Sequence, residues 1–230
     1  MKKAGLVGGI GPASTLEYYR GITEGYRERV GGGNYPPLII DSLNLAEIYD
    51  LVDNKQWDEF AARFVRSIKS LAAGGAEFAA MAANTAHIVF DAVRSQSPLP
   101  LVSLVEETSK AARAKGCRRI IVFGTGFTMR SGMYTEALAE AGIEAFVPEP
   151  DEQSAIHNII FPHLEEGIVL PEEKETMLNI ARRLISEKKA DALLLGCTEL
   201  PLIIKPEDLA VPVLDTTQIH IDAILDNILA

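Results

Sequence analysis

Short runs of apolar, β-branched-rich residues alternate along the chain with longer stretches in which apolar positions recur at helical spacing. The runs are "AGLVG", "PLIIDS", "EFAAMAA", "PLVSL", "RIIVFG", "EAFVP", "DALLLG" and "VPVLDT", and they read as eight strands. Between them, the segment from Ser14 to Arg29 opens with cap-type residues and stops before "GGG" at 31–33, as a helix should. Strands that are apolar throughout, each followed by a helix, predict mainly parallel sheets covered by helices on both faces.

The pattern repeats. Aligning "AEFAAMAANT" (76–85) on "ADALLLGCTE" (190–199) sets Ala83 on Cys197, an offset of 114 residues. "GLVGGIG" (5–11) falls on "IVFGTGF" (121–127) with Gly8 on Gly124, and "LPLVS" (99–103) falls on "VPVLD" (211–215), offsets of 116 and 112. Three nearly equal offsets point to a duplicated α/β unit. The expected fold is therefore two pseudosymmetric α/β domains, with the ligand site in the cleft between them, where open α/β sheets bind small molecules at their strand ends. The expected division is residues 1–98 with 212–230, and residues 99–211.

Composition narrows the function. A net charge of −10 disfavours nucleic acid or an anionic membrane surface as the main partner. The apolar stretch in "MKKAGLVGGIGP" is too short and glycine-rich for a signal sequence, so a cytoplasmic location is expected. Cys117 and Cys197 cannot build a disulfide framework, and His87, His157, His163 and His220 are scattered, so no metal site is expected. "GIG" after the first strand, with Asp41 ending the second, invites a dinucleotide reading. Ser14 stands where the third glycine belongs, however, and Pro12 removes a phosphate-facing N–H.

The chemistry concentrates at strand ends. Cys197 sits where a strand gives way to "TEL", so nearby backbone N–H groups are expected to lower its pKa, with Thr198 and Glu199 adding a hydroxyl and a carboxylate. Asn84 and Thr85 form a turn suited to a carboxylate or to capping a helix, and His87 follows. At Gly9 and Ile10 the first loop lets backbone approach a small ligand. Thr125 and Thr128 offer hydroxyls in the second copy.

Taken together, "GLVGGIGPAST" followed by "YY", "NTAH", "GTGFTM" with Tyr134 after it, "DEQ" at 151–153 and "GCTELP" resemble the cofactor-independent aspartate/glutamate racemase family over essentially the whole chain. The resemblance implies amino-acid racemisation without pyridoxal phosphate or any other cofactor, frequently in a homodimer. One group abstracts the α-proton and an opposed group delivers a proton to the other face. Carried over by position, Cys197 is one proton-transfer residue, Thr198 and Glu199 are its neighbours, and Asn84 with Thr85 hold the substrate α-carboxylate.

Two features depart from the family pattern. Ala83 occupies the partner thiol's position, so racemisation would have to recruit the Thr85 hydroxyl, His87 or a water. "IYDLV" (48–52) and "LEEG" (164–167) lack the basic residues that members acting on aspartate can place there, so a neutral or basic amino acid becomes the expected substrate. A single-thiol enzyme of decarboxylase type and a non-catalytic amino-acid-binding homologue are the alternatives.

Overall fold

A computed structural model describes residues 1–230. The chain divides into two compact units, Met1–Leu104 with His220–Ala230, and Val105–Ile219.

In the first unit, β1 (Ala4–Gly8), β2 (Leu38–Ser42), β3 (Phe78–Met81) and β4 (Leu101–Val102) form a parallel sheet in the order β2-β1-β3-β4. Side chains alternate between the two sheet faces. Val7, Ala79 and Met81 pack with Phe60, Phe64 and Ile68 of the helix Trp57–Ala73. Leu6, Phe78 and Ala80 face Tyr18 and Ile22 of α1 (Pro12–Val30), together with Ile221, Ile224 and Ile228 near the C-terminus. Both faces are covered, which is why β1 and β3 carry no exposed residue.

The second unit repeats this order. β5 (Arg119–Gly124), β6 (Glu144–Phe146), β7 (Ala192–Gly196) and β8 (Val213–Asp215) run β6-β5-β7-β8, again all parallel. Ile121, Phe123, Leu193 and Leu195 pack with Ile156 and Ile159 of one helix (Pro150–Ile159), and with Met177, Ala181 and Leu184 of another (Pro171–Lys188).

Strand register turns the repeat into a structural equivalence. Val7 pairs with Met81 in the first sheet, and Phe123 with Leu195 in the second. Two residues beyond each pair stand Ala83 and Cys197, at matching positions past a central strand. The unit limits differ from the expected 1–98 with 212–230 and 99–211. Each fourth strand bonds to the sheet of its own half, so residues 99–104 go with the first unit and 212–219 with the second.

The first-strand turns of the two halves are not identical. Each glycine that ends the strand is closed by a threonine: a Cβ on Gly8 would lie 2.6 Å from Thr15 Cγ2, and one on Gly124 would lie 2.8 Å from Thr128 Cγ2. The threonine comes seven residues later in the first turn and four in the second. The longer turn is possible because Gly9 adopts φ +86° and lies flat against Leu43, whose carbonyl oxygen would be 2.2 Å from any Cβ. Gly11, by contrast, has open space around it. Gly9→Ala is therefore expected to lower unfolding free energy by at least about 2 kcal/mol, and Gly11→Ala by less than about 1 kcal/mol, in urea titrations. Equal losses would show that the left-handed turn is not what constrains this loop.

Candidate active site

The turn after β7 carries the Cys197 thiol. Cys197 is 7% exposed, and its Sγ–H donates to Glu199 Oε2 at 2.8 Å; the Thr198 hydroxyl donates to the same oxygen at 2.7 Å. One carboxylate oxygen therefore orients two donors on consecutive residues. The thiol pKa lies well above its ordinary value, first because the sulfur is buried, then because the Glu199 charge and its hydrogen bond favour S–H. The backbone N–H groups of Thr198 and Glu199 act in the expected, lowering direction but are outweighed. The expectation of a depressed thiol pKa is thus corrected, and the site at rest holds a proton donor rather than a thiolate.

Further groups surround this turn. Tyr134, 1% exposed, shares hydrogen bonds with Thr216 and Thr108, and burial pushes its phenol pKa upward, with smaller contributions from Cys197 and Asp215. Thr216 donates to Leu195 O at 2.8 Å, tying this hydroxyl cluster to the end of β7 two residues before the thiol. Glu165, exposed just beyond the irregular turn Ile160–Leu164, has a carboxyl pKa raised by partial desolvation and then by Glu199 and Glu166. That turn packs on the short helix Leu200–Ile203 that follows Glu199. Glu199 is thus the carboxylate whose charge acts on the thiol, and it also acts on Glu165.

Of the sequence-derived residues in the second unit, Thr125 caps the helix Gly126–Arg130. Its Oγ1 accepts from Thr128 N at 3.2 Å and lies 3.1 Å from Thr128 Oγ1. The two hydroxyls are therefore engaged with each other and with the helix end. Tyr134, Thr108, Thr216 and Glu165 were not among the expected site residues. Thr216 had a readable signal, a small polar residue directly past a strand end, whereas Thr108 sits inside a helical stretch and nothing in its neighbours marks it.

In the first unit, Ala83 and Asn84 are buried at 7% and 8% exposure, and Thr85 opens a 3₁₀ turn (Thr85–Val89) half-buried. Gly9 and Ile10 lie at the end of β1. The Gly9 N–H is not open to a ligand, because it donates to Thr15 Oγ1 at 2.8 Å. His87 is 6% exposed and holds a partner on each ring nitrogen: Nδ1 is 2.9 Å from Ala83 O, and Nε2 accepts from Leu104 N at 3.0 Å. Burial lowers its pKa to about 4. The idea that His87 supplies the missing proton is corrected by this geometry, since the ring's one proton is held by Ala83 O inside the core and its other nitrogen is occupied by the Leu104 N–H.

No three His, Cys, Asp or Glu side chains are grouped so as to hold a metal ion, and no helix is long and apolar enough to cross a membrane. A surface depression lined by Glu24, Arg27, Glu28 and Gly31–Gly33 lies at the far end of α1 from the strand-end turns and contains none of the candidate residues.

With this arrangement on view, comparison with known proteins is decisive at the family level. The profile of the Asp/Glu/Hydantoin racemase family matches residues 7–224. The chain belongs to that family. The broad specificity amino-acid racemase RacX of Bacillus subtilis is 24% identical over 219 residues, covering 93% of this chain and 92% of the relative. Among crystal structures, an aspartate racemase homologue from Pyrococcus horikoshii is 34% identical with a TM-score of 0.91. A Yersinia pestis protein described as a candidate Asp/Glu racemase is 31% identical with a TM-score of 0.94. Both alignments cover the full length of both chains. For this member of the Asp/Glu/Hydantoin racemase family, the eight-strand, two-unit architecture is shared end to end with these relatives.

Two measurements follow from the electrostatics. Glu199→Gln removes the charge and the acceptor that hold the proton on sulfur, so the Cys197 pKa falls and alkylation by iodoacetamide at pH 8, followed in a Cys117→Ser background, accelerates several-fold. A slower reaction would mean that Glu199 activates the thiol instead. His87, and His220 with its pKa lowered to about 3 by burial, bind protons less readily folded than unfolded. Their contribution is complete above the unfolded value near pH 6.5 and is lost as pH falls toward 4 or 3, by up to about 1.4 kcal/mol per unit for each ring. NMR titration should find both imidazoles neutral at pH 5; protonation of either above pH 6 would contradict the burial argument.

Proposed function

We propose that this protein is an amino-acid racemase or epimerase that needs neither pyridoxal phosphate nor a metal, with Cys197 moving the α-proton. The observation that carries this reading is the thiol itself, buried at the end of a central parallel strand with its proton aimed at Glu199. A thiol is an acid in one form and a base in the other, so one residue can serve both directions of turnover on its face of the substrate. Glu199 orients the sulfur proton, while Thr198 shares its carboxylate. Asn84 and Thr85 take the substrate α-carboxylate. The family membership and the racemase named among the relatives support the same reaction class.

The substrate is an amino acid with a neutral or cationic side chain. Glu199 places negative charge beside Cys197, Glu165 feels the charge of Glu199, and the stretches 48–52 and 164–167 contain no lysine or arginine to offset a second carboxylate. Substrate ammonium, rather than side-chain carboxylate, is what this field favours.

A second reading, one-sided proton transfer by Cys197 alone, is favoured by a specific feature. The equivalent position is Ala83, and the nearby His87 is fully engaged. The Thr85 hydroxyl, a far weaker acid than a thiol, remains for the opposite face.

Incubation of each enantiomer of alanine, lysine and aspartate in deuterated water distinguishes these readings. The expected result is α-hydrogen exchange with alanine or lysine faster than with aspartate, slow inversion, and no effect of dialysis against EDTA. Cys197→Ala abolishes exchange, and Ala83→Cys raises inversion at least about tenfold by supplying a second thiol. Exchange with complete retention in both wild type and Ala83→Cys would establish the one-sided reading. Absence of exchange alongside amino-acid-induced thermal stabilisation would identify a binding protein.

A further inference from the structure

We infer that Tyr134 is a positioning residue for Cys197: its ring walls in Gly196, and its hydroxyl, acting through Thr216, holds the Leu195 carbonyl, so that the sulfur starts from a fixed strand end. This role rests on the proposed function only in naming what Cys197 does; the holding itself is a property of the second unit.

Glycine at 196 is required by space. A Cβ there would lie 3.1 Å from Tyr134 Cε2, 3.1 Å from Phe123 O and 3.2 Å from Thr128 Cγ2, inside ordinary van der Waals separation. The peptide that delivers Cys197 is therefore boxed in by one aromatic ring, one methyl group and the main chain of β5. Tyr134 stands in the first turn of the helix Met133–Glu140 and is 1% exposed.

Counting hydrogens orders the hydroxyls around that ring. Thr216 has one and gives it to Leu195 O at 2.8 Å, so it accepts from Tyr134. Tyr134 has one and gives it to Thr216, so it accepts from Thr108. Thr108 and Thr216 are both fully buried. The chain Thr108–Tyr134–Thr216 thus runs one way and ends on the main chain of β7, two residues before the thiol. Tyr134 meets the approach to Cys197 twice, by its ring at Gly196 and through Thr216 at Leu195. Burial keeps the phenol protonated, so Tyr134 moves no proton itself.

The first unit repeats the tyrosine but not the connection. With Gly8 set on Gly124, Tyr134 falls on Tyr18, which is equally buried. Tyr18 donates to His220 Nδ1 at 2.8 Å, and His220 Nε2–H donates to Val102 O at 3.0 Å. That chain ends on β4, not on the strand that leads to Ala83. The position matching Gly196 is Ala82, whose Cβ is accommodated. A hydroxyl chain onto the central strand and a glycine beneath the ring occur together in the half that carries the thiol.

Four substitutions separate positioning from mere support. Thr216→Val cuts the bond to Leu195 O at nearly constant shape, Thr216→Ser keeps it, and Tyr134→Phe keeps the ring without the hydroxyl. Tyr18→Phe removes the corresponding buried hydroxyl of the first unit and controls for lost stability. Alkylation of Cys197 by iodoacetamide is followed as a function of pH in a Cys117→Ser background. In Thr216→Val and Tyr134→Phe the loosened turn admits water to the sulfur, its pKa falls, and the midpoint of the profile moves to lower pH by at least about half a unit. Thr216→Ser and Tyr18→Phe keep the wild-type midpoint.

For the amino acid that wild type exchanges fastest, Thr216→Val and Tyr134→Phe lower kcat at least about tenfold with KM within about threefold, because a misplaced sulfur impairs proton transfer rather than binding. Unchanged alkylation profiles in these two variants would overturn the inference, as would raised KM with unchanged kcat. An equal shift in Tyr18→Phe, or failure of Thr216→Ser to keep the profile, would do the same. If wild type exchanges no amino acid, it is the racemase reading that fails; the alkylation profiles still decide the role of Tyr134.

Discussion

All strands within each sheet run in one direction, and every local feature of the candidate site follows from that constraint. A parallel strand cannot return through a tight hairpin, so each is followed by a turn into a helix on the carboxyl edge of its sheet. In the first unit this edge gathers the Gly8–Gly11 turn and the Ala83–Thr85 turn; in the second it gathers Thr125 and the Cys197–Glu199 turn. The strands that deliver them, β1, β3, β5 and β7, are buried on both faces, which gives the turns a rigid base.

Two nearly identical frameworks have been finished with different polar chemistry. Past β7, a sulfur and a hydroxyl both donate to one carboxylate oxygen, and burial keeps the proton on sulfur. Past β3, the matching position is a methyl group, and the Ala83 carbonyl is tied down by an imidazole that stays neutral. A buried imidazole is expensive unless both nitrogens are satisfied, and here both are, by main-chain groups that cannot move without unfolding the strand ends.

Much of the framework was legible in the chain. The eight apolar runs became the eight strands, and the offset of 114 residues between Ala83 and Cys197 reappeared as a shared register, because period and length of apolar runs directly reflect burial on a two-sided sheet. Domain limits were less legible. β4 and β8 are two and three residues long, and short strands carry too little pattern to show which sheet will claim them.

By itself, then, the sequence determined the fold class, the duplication, and the thiol and small-polar turns at strand ends, because each of these is written in local periodicity and in residues of fixed chemistry. Tertiary structure alone decided the states of those residues. Whether Cys197 is acidic or sluggish depends on burial and on where the Glu199 carboxylate comes to rest. Whether His87 can carry a proton depends on Leu104, seventeen residues away, and on Ala83 O. Proton affinity is set by solvent exclusion and by partners brought together in space, neither of which the order of residues encodes locally.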